Sequence, residues 1–202
     1  FDKSDYLAVE CDIVAYEKDL KKQIETSTDL AYTDGTTIKN HLDEDTYEKL
    51  KKLLSDNDSY MSLYDSMKPA AWMSLLENLV IEKSGLSPDN GLDRNFLNKA
   101  KKQDKKILEV ESVEFQMNML TGFSDDTINL LLKSYTTQTL DEQAKSLNEL
   151  YAAWKSGDID KLYQLGNGEA DPKATAKEKE LYEEYNKQML TNRNNGMVTK
   201  AQ

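Results

Sequence analysis

Residues 105–116 read KKILEVESVEFQ, and the period of the apolar side chains changes inside this stretch. Lys106 to Val110 is a short aliphatic and β-branched run, the composition of a strand. From Ser112 onward the spacing turns helical: Ser112 stands where an N-cap is wanted, Glu114 falls in the first turn, and Phe115, Met119 and Leu120 recur at helical spacing. Glu111 therefore closes a strand just before a helix opens. In open α/β sheets that is where ligands and catalytic groups collect, because the strands fix the roots of loops that are free to vary. Residues 5–10, DYLAVE, repeat the arrangement, with Glu10 as the carboxylate at the strand end and a helical pattern behind it. The second strand is reached through helices, so the connection is a crossover and the two strands are expected to be parallel. Glu109 alternates with Val110 and is expected on the same face as Glu111, as an ion-pair partner or an edge charge.

The whole composition suits a helix-rich α/β protein, a small parallel sheet flanked by many helices. The chain has 202 residues, enough for one substantial core or two small ones. Its single cysteine, Cys11, rules out an internal disulfide and reads as a small buried hydrophobe. A net charge of -11 disfavours nucleic acid and anionic membrane surfaces as partners, since both would repel it. No run of apolar residues is long enough to span a bilayer. Few Gly and Pro, and many Lys, Glu, Leu and Ala, point to a helical body. The chain opens on Phe1 rather than Met, so it is expected to be part of something longer.

Elsewhere the pattern is almost wholly helical. A polar helix is expected over 14–24, a loop with an Asp34-Gly35 turn over 26–37, and a helix over 43–55 whose stripe is Tyr47, Leu50, Leu53 and Leu54. A helical turn falls within 59–66. Pro69 opens the most apolar helix, in which Trp72, Leu75, Leu76, Leu79 and Val80 follow at spacings of three and four up to Gly85. Residues 93–102 place Phe96, Leu97 and Ala100 inward. Further helices cover 124–135, 140–155 and 158–165; the middle one carries Leu140, Ala144, Leu147, Leu150, Tyr151 and Trp154 on one face. A polar loop over 166–173 reads as a hinge, and a long charged helix over 174–199 has Leu181, Tyr182, Tyr185, Met189 and Leu190 as its apolar stripe. Both tryptophans read as core, His41 as a surface residue, and Arg193 on its own as a member of an ordinary salt bridge.

The segments SDYLAVECD (4–12), NGLDRNFLNKAKKQDKKILEVESVEFQ (90–116), YAAWKSGD (151–158) and LTNRNNGM (190–197) resemble, in order and separation, the TraB/GumN family, which includes the Tiki proteins. The resemblance implies one α/β domain, a central sheet flanked by helices, with a helical insertion over 37–91. It also implies an activity: metal-dependent peptidase chemistry in the Tiki branch, and pheromone shut-down in TraB. The family pattern combines two Gly-x-x-His motifs, a glutamate after an early strand, a glutamate shortly before a glutamine, and an arginine before asparagine. Carried over by position, these are Glu10, Glu111 with Gln116, and Arg193 beside Asn194. Glu10 and Glu111 are then expected as ligands of manganese, cobalt or zinc, or as the base that activates metal-bound water. Arg193 is expected to orient Glu10 or stabilise an oxyanion.

The departure from the pattern is in the histidines. His41 is the one histidine, and Ile38 stands where Gly-x-x-His needs glycine. The expectation is therefore the central portion of such a domain, inactive and without its metal as it stands, with a peptide or protein substrate in the full-length form. A non-catalytic peptide- or pheromone-binding module is the alternative. The family also implies an extracytoplasmic setting, secreted or membrane-anchored, and unpaired sheet edges suggest a homodimer.

Overall fold

In the computed structural model, which describes residues 1–166 and 174–201, the two aliphatic runs become the strands. β1 is Tyr6–Val9 and β2 is Lys106–Glu109; they pair parallel, with Leu7 opposite Ile107 and Val9 opposite Glu109. The pleat sends Leu7, Val9 and Ile107 to one face, where they pack with Val14 and the fully buried Leu97. Tyr6 and Leu108, on the other face, are half exposed.

β1 leads into α1 (Ile13–Tyr16) and α2 (Leu20–Asp29), opened by Asp12 and Asp19, whose carboxylates accept the N–H three residues on at 2.9 and 3.1 Å. The single helix expected over 14–24 is thus two. A capping residue must leave helical dihedrals to turn its side chain back on the helix, and Asp19 does so at φ -96° and ψ 85°. α2 then runs on to Asp29, so the loop expected from residue 26 begins later.

α3 (Glu44–Asp56) and α4 (Pro69–Ser84) are joined through a 3-10 turn at Ser62–Ser66. Their apolar stripes make the main core, in which Tyr47, Leu50, Leu54, Trp72, Leu76 and Leu79 are buried. The Trp72 indole N–H donates to the Tyr64 carbonyl at 2.8 Å, so the largest buried ring leaves no polar atom unpaired. Gly85 ends α4 in the left-handed conformation, φ 76°. α5 (Leu92–Lys102) buries Leu97 and Ala100 as expected. Phe96 is instead 38% exposed and stacks on Phe1, at 5.4 Å between ring centroids.

After β2 come α6 (Val113–Thr121), α7 (Asp125–Ser134), α8 (Leu140–Ser156) and α9 (Ile159–Gly166). Ser112 and Ser124 cap α6 and α7 from their hydroxyls, and Thr139 forms a capping box with Glu142. α7 adds Ile128 and Leu132 to the main core. α6 buries none of its residues fully, and Phe115 is half exposed, against the inward placement its spacing suggested. On α8 the expected face holds at Leu140, Ala144, Leu147 and Leu150, which are buried or half-buried, and fails at its C-terminal end. Ala144 and Ala153 are its buried residues, and Trp154 is 49% exposed beside Tyr151 rather than in the core.

The hinge expected over 166–173 lies, from residue 167 on, outside the described residues. The long helix expected over 174–199 is interrupted: α10 (Ala176–Asn186) passes through a π-helical segment, Lys187–Asn192, into α11 (Arg193–Ala201). No helix among the described residues is long and apolar enough to cross a membrane.

Candidate functional site

Two backbone bonds carry the parallel pairing past the strand ends. The Val110 N–H reaches the Val9 carbonyl at 2.9 Å, and the Glu111 N–H reaches the Glu10 carbonyl at 2.8 Å. The next residue, Ser112, accepts the Phe115 N–H at 3.1 Å and starts α6. Glu111 is therefore clamped between the last ladder bond and the first helical turn, and its side chain is 4% exposed. Glu10, one strand over, is 48% exposed.

Arg193, the first residue of α11, lies between them. Its Nε donates to both Glu111 oxygens at 2.9 Å, and its Nη2 donates to Glu111 Oε2 at 2.8 Å and to Glu10 Oε2. Gln116 on α6 closes the ring: its Nε2 donates to the same Glu10 Oε2 at 3.2 Å and to Glu111 Oε2 at 3.0 Å. The Cys11 thiol donates weakly to Gln116 Oε1 at 3.7 Å. Glu10 Oε2 and Glu111 Oε2 thus share two donors, while Glu10 Oε1 accepts no hydrogen bond among the described residues. Arg193 Nη1 likewise donates none there.

The electrostatics follow from this ring. Burial pushes the Glu111 carboxyl up, but hydrogen bonds from Arg193 and Gln116 and the charge of the guanidinium outweigh it, holding the group below the ordinary value. The hydrogen bonds that Arg193 donates to Glu111, and then to Glu10, push the guanidinium further up. Burial, and then the charges of Glu10, Glu109 and Glu111, push the Cys11 thiol up to about 11, so it stays protonated near neutrality. That is inert, hydrophobe-like behaviour.

The sequence reading of the neighbours needs two corrections. Glu109 does not share the surroundings of Glu111, because β2 ends at Glu109 and the pleat that would alternate them stops there. Its Oε1 accepts the Asp12 N–H at 2.7 Å and helps fix the start of α1. It also lines a groove of about 480 Å³ between α2 and α6, together with Asp12, Tyr16, Asp19 and Glu114; Glu10, Glu111 and Arg193 do not line it. His41 is not a plain surface residue. It stacks on Tyr32 at 4.4 Å, with Nδ1 3.1 Å from Asp125 Oδ2 and Nε2 3.1 Å from Thr36 Oγ1, and it is hydrogen-bonded to neither Glu10 nor Glu111.

The model of the family described as TraB/PrgY/gumN matches residues 1–202. The chain belongs to that family. No curated protein and no solved structure matches it. The cluster at the strand ends of this TraB/PrgY/gumN chain does not fit a divalent metal by itself. A hydrolytic metal needs about three protein ligands, the described residues hold no group of three or more His, Cys, Asp or Glu that could supply them, and a guanidinium already counters the two carboxylates. Composition and periodicity alone did not show that Arg193 and Gln116 meet at the same two oxygens. The family match of LTNRNNGM pointed to Arg193, but its partners are 82 and 183 residues away in sequence.

Proposed function

We propose that this chain carries the carboxylate and guanidinium part of a hydrolytic site, of peptidase type, in a TraB/PrgY/gumN protein. The observation that carries the reading is the division of labour between the two carboxylates. Glu111 is buried and saturated by Arg193 and Gln116, so its work is to hold the guanidinium. Glu10 has one oxygen tied into the ring and the other unengaged, on a side chain that is half exposed. A carboxylate held by one oxygen and open at the other is placed to orient water and take its proton, the work of a general base. Arg193, fixed through Nε and Nη2, has Nη1 left to face a carbonyl oxygen as negative charge develops on it. The fixed guanidinium costs no reorganisation when that charge appears. No step above depends on the divalent metal associated with the family.

The test is hydrolysis of a fluorogenic peptide pool by the protein carrying this segment, with Glu10→Gln as the variant. A general base contributes about a hundredfold or more, so turnover is expected to fall at least that far while the variant stays folded, with only a small loss of stability. Full turnover in Glu10→Gln rejects the reading. Binding of the same peptides without hydrolysis, unaffected by Glu10→Gln, would favour the non-catalytic peptide-binding module.

A further inference from the structure

The ring of contacts depends on which way α11 faces at its first residue. α10 is held to the body by Leu181, which is buried, and by Tyr185, whose ring lies 5.4 Å from that of Phe123; Met189, in the π-helical segment that follows, also packs on the main core. These three residues and Arg193 stand at a strict spacing of four: 181, 185, 189, 193. An α-helix has 3.6 residues per turn, so each step of four overshoots a full turn by about 40°, and three steps would leave Arg193 about 120° round from Leu181. In an uninterrupted α-helix the guanidinium would leave the face that α10 sets against the body.

The π-helical segment Lys187–Asn192, which contains Met189, lies between the α10 anchors Leu181 and Tyr185 and Arg193. A π-bulge accommodates one residue more than the α-helix it interrupts. Twelve positions then turn like eleven, and Arg193 comes within about 20° of the direction of Leu181. We infer that the π-helical turn is a register device: it rotates Arg193 back onto the face of Leu181, Tyr185 and Met189, and so onto Glu111 and Glu10. The turn is a positioning element, acting through Arg193. The inference rests on the carboxylate and guanidinium cluster described above, and it does not require that the cluster hydrolyse anything.

Two variants of the full chain separate this from an incidental bulge. Deleting Thr191, an exposed residue of the π segment, removes the surplus residue and lets the helix close as plain α-helix with Arg193 in the same direction. Inserting one alanine after Thr191 turns Arg193 about 100° further from its partners. The readout is the NMR-detected titration of the Glu111 carboxyl, with Arg193→Ala as the reference for a Glu111 that has lost its guanidinium. Deletion of Thr191 is expected to keep the low titration of the parent chain. The insertion is expected to raise the proton affinity of Glu111 at least about tenfold, to the level of Arg193→Ala, because burial is then no longer opposed by the guanidinium.

The inference is overturned if deletion of Thr191 raises the titration as far as Arg193→Ala does, or if the insertion leaves it low. Should the insertion fail to fold, the deletion decides alone. The measurement reads a carboxyl titration, so a failure of the hydrolysis test leaves it standing, and its own failure leaves the hydrolytic reading open.

Discussion

Arg193 Nε lies 2.9 Å from each carboxylate oxygen of Glu111, joining the first residue of the last helix to the residue that closes the second strand region. Among the described residues, no other cation is hydrogen-bonded to this buried carboxylate. Glu111 therefore depends on Arg193 far more than the half-exposed Glu10 does.

Arg193→Ala should accordingly be among the most damaging single changes at the site. Removing one partner of a buried ion pair strands the other charge, at a cost of about 3–5 kcal/mol. Glu10→Gln, at an exposed end of the same network, should cost under about 1 kcal/mol. Arg193→Lys should recover less than half of the loss, because an ammonium cannot reproduce the two-nitrogen contact. Urea unfolding of the three variants checks the order; equal losses in Arg193→Ala and Glu10→Gln would contradict it.

The same pair makes stability depend on pH in a defined direction. Glu111 binds its proton more weakly in the folded chain than in the unfolded one. Its contribution is thus complete above the ordinary glutamate value of about 4.3 and is lost as pH falls through the lower folded value. The urea midpoint of the parent chain should fall more steeply than that of Glu111→Gln between about pH 4.5 and 2.5. Other lowered carboxyls, such as those of Glu17 and Asp43, are common to both proteins and cancel in the comparison. Parallel curves would show that Arg193 does not hold Glu111 ionised.

The two tryptophans should behave as opposites. Trp72 is wholly buried, with its N–H on the Tyr64 carbonyl, so Trp72→Ala should cost about 3–5 kcal/mol. Trp154 is half exposed, and Trp154→Ala should cost about 1 kcal/mol or less. Acrylamide quenching of each single-tryptophan variant gives an independent check: the emission that Trp72 retains should be the shielded one.

Gly85→Ala isolates a backbone effect. Nothing lies within 4 Å of an added Cβ there, yet φ is 76°. The expected loss is about 1–2 kcal/mol from the left-handed conformation alone. A thermal melt showing no change would mean that α4 can end without it.

Much of the fold was legible because its signals are local. Ser112 caps α6 where its spacing placed it, and Pro69 and Gly85 bound α4 as read. The parallel pairing of the strands followed from the helices between them. What misled the reading was burial. Phe96, Phe115 and Trp154 all sit at core-like spacing, but helical periodicity defines a stripe without saying how much of that stripe a neighbour covers. His41 looked bland because its partners, Tyr32, Thr36 and Asp125, are set by the way the loop before α3 meets α7.

The candidate site divides along the same line. The sequence alone put a carboxylate after each strand, since a short aliphatic run ending in glutamate before a helix start is a local pattern, and the family pattern named Arg193 and Gln116. Only the tertiary structure decided that Arg193 and Gln116 converge on one oxygen of each carboxylate, leaving Glu10 with an open oxygen and Glu111 with none. That outcome depends on the azimuth of a helix far along the chain, and a single surplus residue in a π turn changes an azimuth by about 100° without altering the composition or the order of the elements.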